Sequence, residues 1–409
     1  MTKYSFFLAA TFAVCGCSNG DPSNGSTPSS DFWVTGYYPE YSYHLLPPSE
    51  IDFSALTHLI STAVEPTTSP PYADFSRLTK EEEIIGLAHA AGVKVLIGID
   101  GTGYSGGDNN LATIMANDTS AKAFAYTLLS HARTAGYDGI DIDWEADVTA
   151  EAFTKLVELL ENGTGGDPGL KSWTETTPHG LIVVSISASD YFLDDWNYAV
   201  TNEYVDQWNF MAYTFDYVAN GWAGQCTDKP QNIIGFNAPL YRPDSTYPAL
   251  AEWSASYDGG PGYLSKTAKY WGANGADIKK LGMGVPFYGD IWPGNDVPGQ
   301  TDCGKSIWQA PIMYRDILSY IENGGTYHFD DASKTPWIGG TAVSATAKVS
   351  AEQKFYITFD DARSMAEKTQ WAKANGIGGI MIWSLVEGYL PTAPAGQRHP
   401  LLQAIKNAL

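Results

Sequence analysis

Short apolar runs alternate with longer segments of helical spacing from Phe32 to the C-terminus. This alternation predicts strand–helix units and a mainly parallel sheet, because each helix crosses over between neighbouring strands. The runs predicted to be strands are Trp33–Tyr38, Thr57–Val64, Val93–Ile99, Gly139–Glu145, Leu181–Ala188, Val205–Tyr213, Leu281–Tyr288 and Gly378–Leu385. These eight runs predict an α/β fold, a (β/α)8 TIM barrel over residues 31–409.

The segments between the runs carry helix start and stop signals. The predicted helices are Lys80–Ala91, Ser120–Ala135, Thr149–Glu161, Ser265–Ala273 and Ala362–Ala374. Each is followed by Gly or by Asn-Gly, the residues that commonly end a helix. Thr79 is predicted to cap the first helix, where Glu81, Glu82 and Glu83 favour the positive N-terminal end.

The stretch between the seventh and eighth runs is much longer than a barrel crossover requires. Within it, Tyr314–Glu322 reads as a helix, and Thr326–Phe329 and Phe355–Phe359 read as strands around a Ser/Thr/Ala-rich loop at Gly339–Ser350. We predict a small α+β insertion subdomain over Pro293–Asp361 that deepens a cleft at the barrel mouth. A stabilising excursion without a role at the cleft is the alternative.

The fourth run carries three acids at a spacing of two: Asp141, Asp143 and Glu145. Side chains alternate across a strand, so these carboxyls share one face, roughly 6–7 Å apart. The residues between them are apolar: Ile140, Ile142 and Trp144. Like charges at this distance resist joint ionisation, so at least one pKa should rise. A carboxyl that stays protonated near neutral pH is what a general acid requires.

A solvated polar face and a calcium loop are the alternatives for this run. A solvated face leaves the three apolar partners without a cover. A calcium loop of the helix–loop–helix type places Gly after alternating acids, and no Gly interrupts this run. We therefore predict a barrel strand whose acids point inward at the C-terminal mouth.

The segment Asp138-Gly139-Ile140-Asp141-Ile142-Asp143-Trp144-Glu145 resembles the D-x-x-D-x-D-x-E signature of family 18 glycoside hydrolases, the chitinases. All four acidic positions match. The resemblance extends to the ends of other strands and to the exit from the insertion, and it covers nearly the whole mature chain. The segments concerned are Val34–Tyr38, Asn209–Tyr213, Asn237–Tyr241, Gly284–Gly289, Phe359–Asp361 with Ser364 and Lys368, and Gly379–Ser384.

The resemblance implies substrate-assisted retaining hydrolysis of β-1,4-linked N-acetylglucosamine in chitin or its oligomers. It implies that Glu145 is the acid and base, that Asp143 orients the acetamido nucleophile, and that Asp141 tunes the proton of Asp143. Tyr213 would donate its hydroxyl to the acetamido group. Asp138 is out of phase with the other acids and is predicted to shape the strand entry rather than to act on substrate.

The resemblance also implies a set of substrate-binding residues: Trp383 as the floor under the reacting sugar, with Tyr288, Met211, Tyr37 and Trp222. Ordinary packing in the core or at the rim is the alternative reading for these aromatic residues. An endo-β-N-acetylglucosaminidase acting on N-glycans would use the same motif. A chitin-binding lectin on the same barrel is a further alternative, but such lectins generally lose the acid, and Glu145 is intact.

The chain departs from the family pattern at two strand ends. The family usually has Ser-x-Gly-Gly after strand three, where this chain has Gly98-Ile99-Asp100-Gly101. The family usually has Met-x-Tyr-Asp at strand six, where this chain has Thr214 after Tyr213, with Asp216 two places on. Whether Asp100 or Asp216 compensates is left open, and we expect a shifted pH profile or altered substrate preference.

Composition narrows the classes of partner. The formal net charge of −22 argues against nucleic acid and anionic membrane surfaces, and it is compatible with a neutral or amine-bearing polymer. The chain has 13 Trp and 25 Tyr, a surplus common where sugar rings are stacked. No metal or cofactor is expected, and the protein is expected to be a monomer. Cys226 and Cys303 match no zinc pattern, and whether they form a disulfide is left open.

The N-terminus reads as a targeting segment. Lys3 precedes the apolar run Tyr4–Val14, which is too short to span a bilayer. Val14-Cys15-Gly16-Cys17 resembles a bacterial lipobox, so residues 1–17 are predicted to be a lipoprotein signal ending at a lipidated Cys17. Ser18–Ser30 is predicted to be a flexible tether. We expect export and anchoring at the cell envelope (outer membrane); a plain secretory signal, giving an extracellular protein, is the alternative.

Overall fold

The computed structural model describes residues 32–101, 110–145, 147–174, 177–188, 196–215, 217–219, 232–248, 250–251, 263–300 and 310–409. Residues 31–409 belong to one compact unit. The predicted signal segment, Cys17 and the tether lie outside the described residues, and they stay predictions. Among the helices that are described, none is both long and apolar enough to cross a membrane.

The strands, in chain order, are β1 (Trp33–Pro39), β2 (His58–Pro66), β3 (Ala73–Asp74), β4 (Lys94–Gly101), β5 (Gly139–Trp144), β6 (Leu181–Ser187), β7 (Gln207–Met211), β8 (Tyr217–Ala219), β9 (Asn232–Ile234), β10 (Leu281–Pro286), β11 (Tyr288–Pro293), β12 (Ala310–Met313), β13 (Gly325–Asp330), β14 (Thr335–Thr341), β15 (Lys354–Thr358) and β16 (Gly379–Trp383). The helices are α1 (Glu81–Ala90), α2 (Asn110–Met115), α3 (Asp118–Ala135), α4 (Ala150–Asn162), α5 (Tyr198–Thr201), α6 (Leu264–Ala273), α7 (Tyr314–Glu322), α8 (Ala362–Ala374) and α9 (Pro400–Ala408).

Eight parallel strands close into a barrel in the described part of the chain. Their order is β1-β16-β10-β7-β6-β5-β4-β2, and β2 pairs again with β1 to close the ring. Each of the eight apolar runs predicted from the sequence is a barrel strand. The prediction of a (β/α)8 TIM barrel is therefore confirmed.

The two faces of the barrel strands have different partners. The outward residues Ile140, Ile142 and Trp144 are fully buried in a large apolar cluster that includes helix residues such as Leu128 and Leu156. The interior of the barrel holds a smaller buried cluster made of Tyr37, Ile60, Leu96, Val183 and Met381. The helical cover of the outer face therefore directs the alternate residues of β5 into the barrel.

The start of α1 corrects one prediction. The N-cap residue is Lys80 rather than Thr79, and no side chain of that residue caps the helix. Instead, the fully buried Glu40 carboxylate accepts a hydrogen bond of 2.5 Å from the Lys80 backbone N–H. A distant acid thus takes the place of the local Thr, because its carboxyl oxygen accepts a backbone N–H at the start of the helix.

The insertion between β10 and β16 contains a five-stranded antiparallel sheet with the order β12-β11-β15-β14-β13, together with α7. This sheet begins at Tyr288, ahead of the predicted Pro293 boundary. Strand β14 was not predicted, and the expected loop at Gly339–Ser350 begins inside it. The sequence of this strand is Thr-Pro-Trp-Ile-Gly-Gly-Thr. It does not predict a strand, because Pro and Gly are usually depleted from strands.

An ion pair is buried where the chain leaves the insertion. Lys368 on α8 donates to both oxygens of Asp360 at 2.5 and 2.6 Å, and both side chains are fully buried. Removing one partner of such a pair leaves an uncompensated charge in the interior. Removing both leaves neutral groups of similar shape.

We predict that Lys368→Met lowers the free energy of unfolding by about 3–5 kcal/mol, because Asp360 is left buried and unpaired. The double variant Lys368→Met, Asp360→Asn should recover a large part of that loss. Urea unfolding of the wild type and both variants measures this. Equal losses in the single and double variants would contradict the account.

Candidate active site

The three acids of the fourth barrel strand lie in a column inside the barrel. Asp141 is paired in register with Gly98 of β4 and Val183 of β6. One step further along, Asp143 is paired with Asp100 and Ser185. Asp141 is fully buried, whereas Asp143 and Glu145 are partly buried and line an open cleft. The column therefore runs from the barrel interior to its C-terminal mouth.

The innermost acid is held by hydroxyl groups. The Tyr37 hydroxyl donates to Oδ1 of Asp141 at 2.7 Å and lies 2.6 Å from Oγ of Ser185. Oδ2 of Asp141 is buried and has no hydrogen-bond partner among the described residues. Tyr37 was predicted to bind substrate, but it is 1% exposed. The structure places it beneath the cleft as a support for Asp141.

Gly98 faces the unpartnered oxygen of Asp141. A Cβ atom at this position would lie 3.5 Å from that oxygen, but only 2.8 Å from Cγ2 of Thr62. A serine here could reach Asp141 only if Thr62 moved. The methyl group of Thr62 thus occupies the space that the side chain of the family's usual serine would need at position 98.

Burial dominates the electrostatics of the column. Loss of solvent raises the pKa of Asp141 to about 8, although the Tyr37 hydrogen bond opposes the shift. Burial, and then the charges of Glu145, Asp141 and Asp100, raise the pKa of Asp143 well above its ordinary value. Burial and the charge of Asp100 raise the pKa of Glu145 to about 7. The column therefore retains protons near neutral pH mainly because it is buried, and the repulsion between like charges that the spacing predicted adds to this at Asp143.

The open cleft at the mouth has a volume of about 950 Å³. The acids Asp143 and Glu145 face it, together with the predicted residues Met211, Tyr213, Tyr288 and Trp383. The other residues that line it are Tyr41, Thr62, Ala63, Arg77, Ile99, Asp100, Thr214, Asp290, Pro311 and Glu387. The cleft thus combines aromatic surface with partly buried carboxyls, as in sites that orient a ligand by a few polar groups.

Tyr213 and Tyr288 form one wall of the cleft. Their rings meet edge to face with centroids 6.0 Å apart. The Tyr288 hydroxyl lies 2.7 Å from Oγ1 of Thr214, whose backbone N–H donates to Oδ1 of Asn237 at 2.8 Å. These contacts hold Thr214 at a φ of 62°, a strained value for a β-branched residue. The residue that replaces the expected acid is therefore fixed in place.

Trp383 ends β16 and lies against Tyr37, with ring centroids 5.5 Å apart. Ser384, the next residue, donates to Glu387 three positions further on, through its backbone N–H at 2.9 Å and through its hydroxyl at 3.2 Å. Burial raises the pKa of Glu387 to about 7 despite these bonds. A fourth carboxyl of raised pKa thus lines the same cleft as Trp383.

The family model for glycosyl hydrolases family 18 matches residues 34–388, which is more than half of the chain. The chain belongs to glycosyl hydrolases family 18. The match includes every barrel strand and the insertion, so the expected family is confirmed.

Two curated relatives in this family are named as chitinases. A probable endochitinase of Caenorhabditis elegans is 27% identical over 75% of this chain and 46% of its own length. Chitinase A1 of Niallia circulans is 27% identical over 72% of this chain and 40% of its own length. The chain thus matches less than half of either relative. The group IV chitinase of Ostrinia furnacalis, solved in complex with allosamidin, shares the fold, with a TM-score of 0.72 at 20% identity over 92% of this chain and 98% of that one.

Two residues considered for the site and the two cysteines of the possible disulfide are not among the residues that the structure describes. Trp222, Asp216, Cys226 and Cys303 lie outside the described residues, so their predictions stay untested. Asp138 lies at the strand entry, where its Oδ2 accepts from the Val95 N–H at 2.8 Å, in keeping with its expected role.

Other residues that line the cleft or lie behind it were not singled out from the sequence. Ser185 had a usable signal, because its strand position alternates inward beside Asp143. Arg77, Glu387 and Asp290 had none, because each comes from a connection or from the insertion. Asn237 accepts from the Thr214 N–H after β7, and its Nδ2 donates to Asp290 Oδ2 on β11 at 2.7 Å. It therefore joins the end of β7 to the insertion.

The raised pKa of Asp141 makes stability depend on pH. The folded protein holds this proton up to about pH 8, whereas an unfolded Asp releases it near its ordinary value of about 4. The stability that this proton confers is therefore lost as pH rises through that window. We predict that Asp141→Asn flattens the decline, by up to about 1.4 kcal/mol per pH unit.

Urea unfolding at pH 5, 6.5 and 8 measures this slope. The exposed Asp331, which is paired with Arg363, offers the matched control Asp331→Asn. Its curve should run parallel to that of the wild type. If the Asp141→Asn curve is parallel as well, the buried proton is absent.

Proposed function

We propose that the protein hydrolyses β-1,4 linkages between N-acetylglucosamine units in chitin or chitooligosaccharides, with retention of configuration and with the substrate as its own nucleophile. The observation that carries the proposal is Glu145 at the cleft, with its pKa raised to about 7 by burial and the charge of Asp100. Such a carboxyl can give a proton and take it back near neutral pH. Membership of family 18 and the names of the curated relatives support the choice of substrate.

The first step breaks the glycosidic bond. The protonated Glu145 carboxyl gives its proton to the glycosidic oxygen while the bond from that oxygen to the anomeric carbon breaks. The carbonyl oxygen of the sugar's own N-acetyl group forms the new bond to the anomeric carbon, giving an oxazolinium ion. In the second step the Glu145 carboxylate takes a proton from water. The water oxygen bonds to the anomeric carbon while the bond from the acetamido oxygen to that carbon breaks, which restores the acetamido group of the sugar.

Asp143 and Tyr213 assist the nucleophile. Asp143 is next to Glu145 on the inward face and can accept the acetamido N–H while positive charge develops there. The Tyr213 hydroxyl lies at the cleft, 4.0 Å from Sδ of Met381, and can donate to the acetamido oxygen. Asp141 is held in place by the Tyr37 hydroxyl, and its charge raises the pKa of Asp143.

Two other functions use a similar barrel. An endo-β-N-acetylglucosaminidase acting on N-glycans needs the same acid and acetamido group. The wall that the insertion adds beside Trp383 favours a linear chain of aminosugars over a branched glycan. A chitin-binding lectin needs no general acid, and the presence of Glu145 in a site that raises its pKa favours hydrolysis.

We predict that the wild type releases new reducing ends from an N-acetylglucosamine hexamer and that Glu145→Gln lowers this rate by about 10²–10⁴-fold, because the amide cannot donate the proton. Binding of the hexamer to Glu145→Gln, measured by calorimetry, should persist. Glu82→Gln, a change of an exposed glutamate on α1, is the matched control and should keep the wild-type rate.

Three outcomes would contradict the proposal. Cleavage of a high-mannose glycopeptide without cleavage of the hexamer would identify the N-glycan enzyme. Binding without hydrolysis by the wild type would identify a lectin. An unchanged rate in Glu145→Gln would show that Glu145 is not the general acid.

A further inference from the structure

Asp100 stands at the last inward position of β4, beside the acid column. Its Cα is paired in register with that of Asp143 on the neighbouring strand, and its side chain lines the same cleft as Glu145. It is 19% exposed, so water screens its charge only in part. Asp100 belongs to the segment Gly98–Gly101, which differs from the Ser-x-Gly-Gly pattern usual in the family.

Asp100 has a cationic partner. Nη1 of Arg77 lies 3.4 Å from Oδ2 of Asp100, and Nη2 lies 3.4 Å from Oε2 of Glu65. Arg77 also lines the cleft, and it is the cationic side chain among the described lining residues. It is shared between two carboxylates and is 36% exposed, so it neutralises Asp100 incompletely.

Glu145 is surrounded mainly by acids. The titratable and charged groups that line the cleft with it, or lie directly behind it, are Asp141 and Asp143 on β5, Asp100 on β4, Tyr41 after β1, Tyr213 after β7, Tyr288 and Asp290 on β11, Glu387 after β16, and Arg77 before α1. Asp143 and Glu145 raise each other's pKa as a pair, and the charge of Asp100 is the next cause after burial of the raised pKa of Glu145.

We propose that Asp100 is a positioning residue which keeps the proton on Glu145 by its negative charge, and that Arg77 limits this effect by pairing with Asp100. The inference rests on the proposed function only for its kinetic test. Asp100 touches no reacting atom in this proposal, since it acts through Glu145.

The sign of the effect follows from charge. A negative neighbour disfavours ionisation of Glu145, so it raises the pKa of that carboxyl and extends the acid form to higher pH. Neutralising Asp100 should therefore lower the pH at which the general acid is lost. Neutralising Arg77 should raise it, because Asp100 then acts at full strength and a nearby positive charge is gone.

The pH dependence of kcat on the hexamer tests this with paired variants. Asp100→Asn should move the basic limb of the profile down by about one pH unit, and Arg77→Gln should move it up by a similar amount. Asp100→Glu keeps the charge and should restore the limb close to its wild-type position. Asp331→Asn, which removes an exposed charge on the insertion, should leave the limb in place.

The opposite directions of the two shifts distinguish electrostatic action from a structural role. If Asp100 only shaped the wall, both variants would lower kcat at every pH with no movement of the limb, and that result would overturn the proposal. A shift of the same sign in both variants would overturn it as well.

A titration without substrate separates this proposal from the proposed function. Infrared difference spectra between each protein and its Glu145→Gln counterpart report the protonation of Glu145 directly. A lower Glu145 titration midpoint in Asp100→Asn supports the proposal even if the wild type proves inactive on the hexamer. An unchanged midpoint in that variant overturns it, whatever the enzyme cleaves.

Discussion

Desolvation of the acids on the inward face of β5 is the constraint on which the rest of the structure depends. Water is removed because the barrel closes around Asp141 and because helices cover the opposite face of the strand. A slip of one residue in register would exchange Asp143 and Glu145 for Ile142 and Trp144. The same apolar packing that stabilises the barrel therefore sets the direction of the acids and the protons they hold.

The parts added to the barrel work on the same column. The insertion sheet starts at Tyr288, immediately after β10, so its first strand continues the wall of the cleft. Thr214 and Asn237 tie the end of β7 to this wall through short hydrogen bonds. The connection between β3 and α1 brings Arg77 to the other side. The mouth is thus closed in by segments that lie outside the repeating strand–helix pattern.

The sequence predicted what depends on local periodicity. Alternation of two identified the inward acids, and the eight apolar runs identified the barrel. Contacts between residues far apart in the chain could not be predicted from local periodicity. Glu40 replaces Thr79 at the start of α1, and Arg77 pairs with Asp100. Tyr37 resembled a cleft residue, but its depth in the barrel follows from strand stagger, which the sequence does not display. Strand β14 was missed because its Pro and Gly oppose the usual strand composition.

Neutron diffraction from crystals near neutral pH tests the central claim most directly, because it locates deuterium on individual carboxyl oxygens. The account predicts deuterium on Asp141 and at least one further deuterium shared by Asp143 and Glu145, which are close enough to titrate as a pair. Three bare carboxylates on the inward face of β5 would contradict it, since burial would then have failed to hold the protons that the chemistry requires.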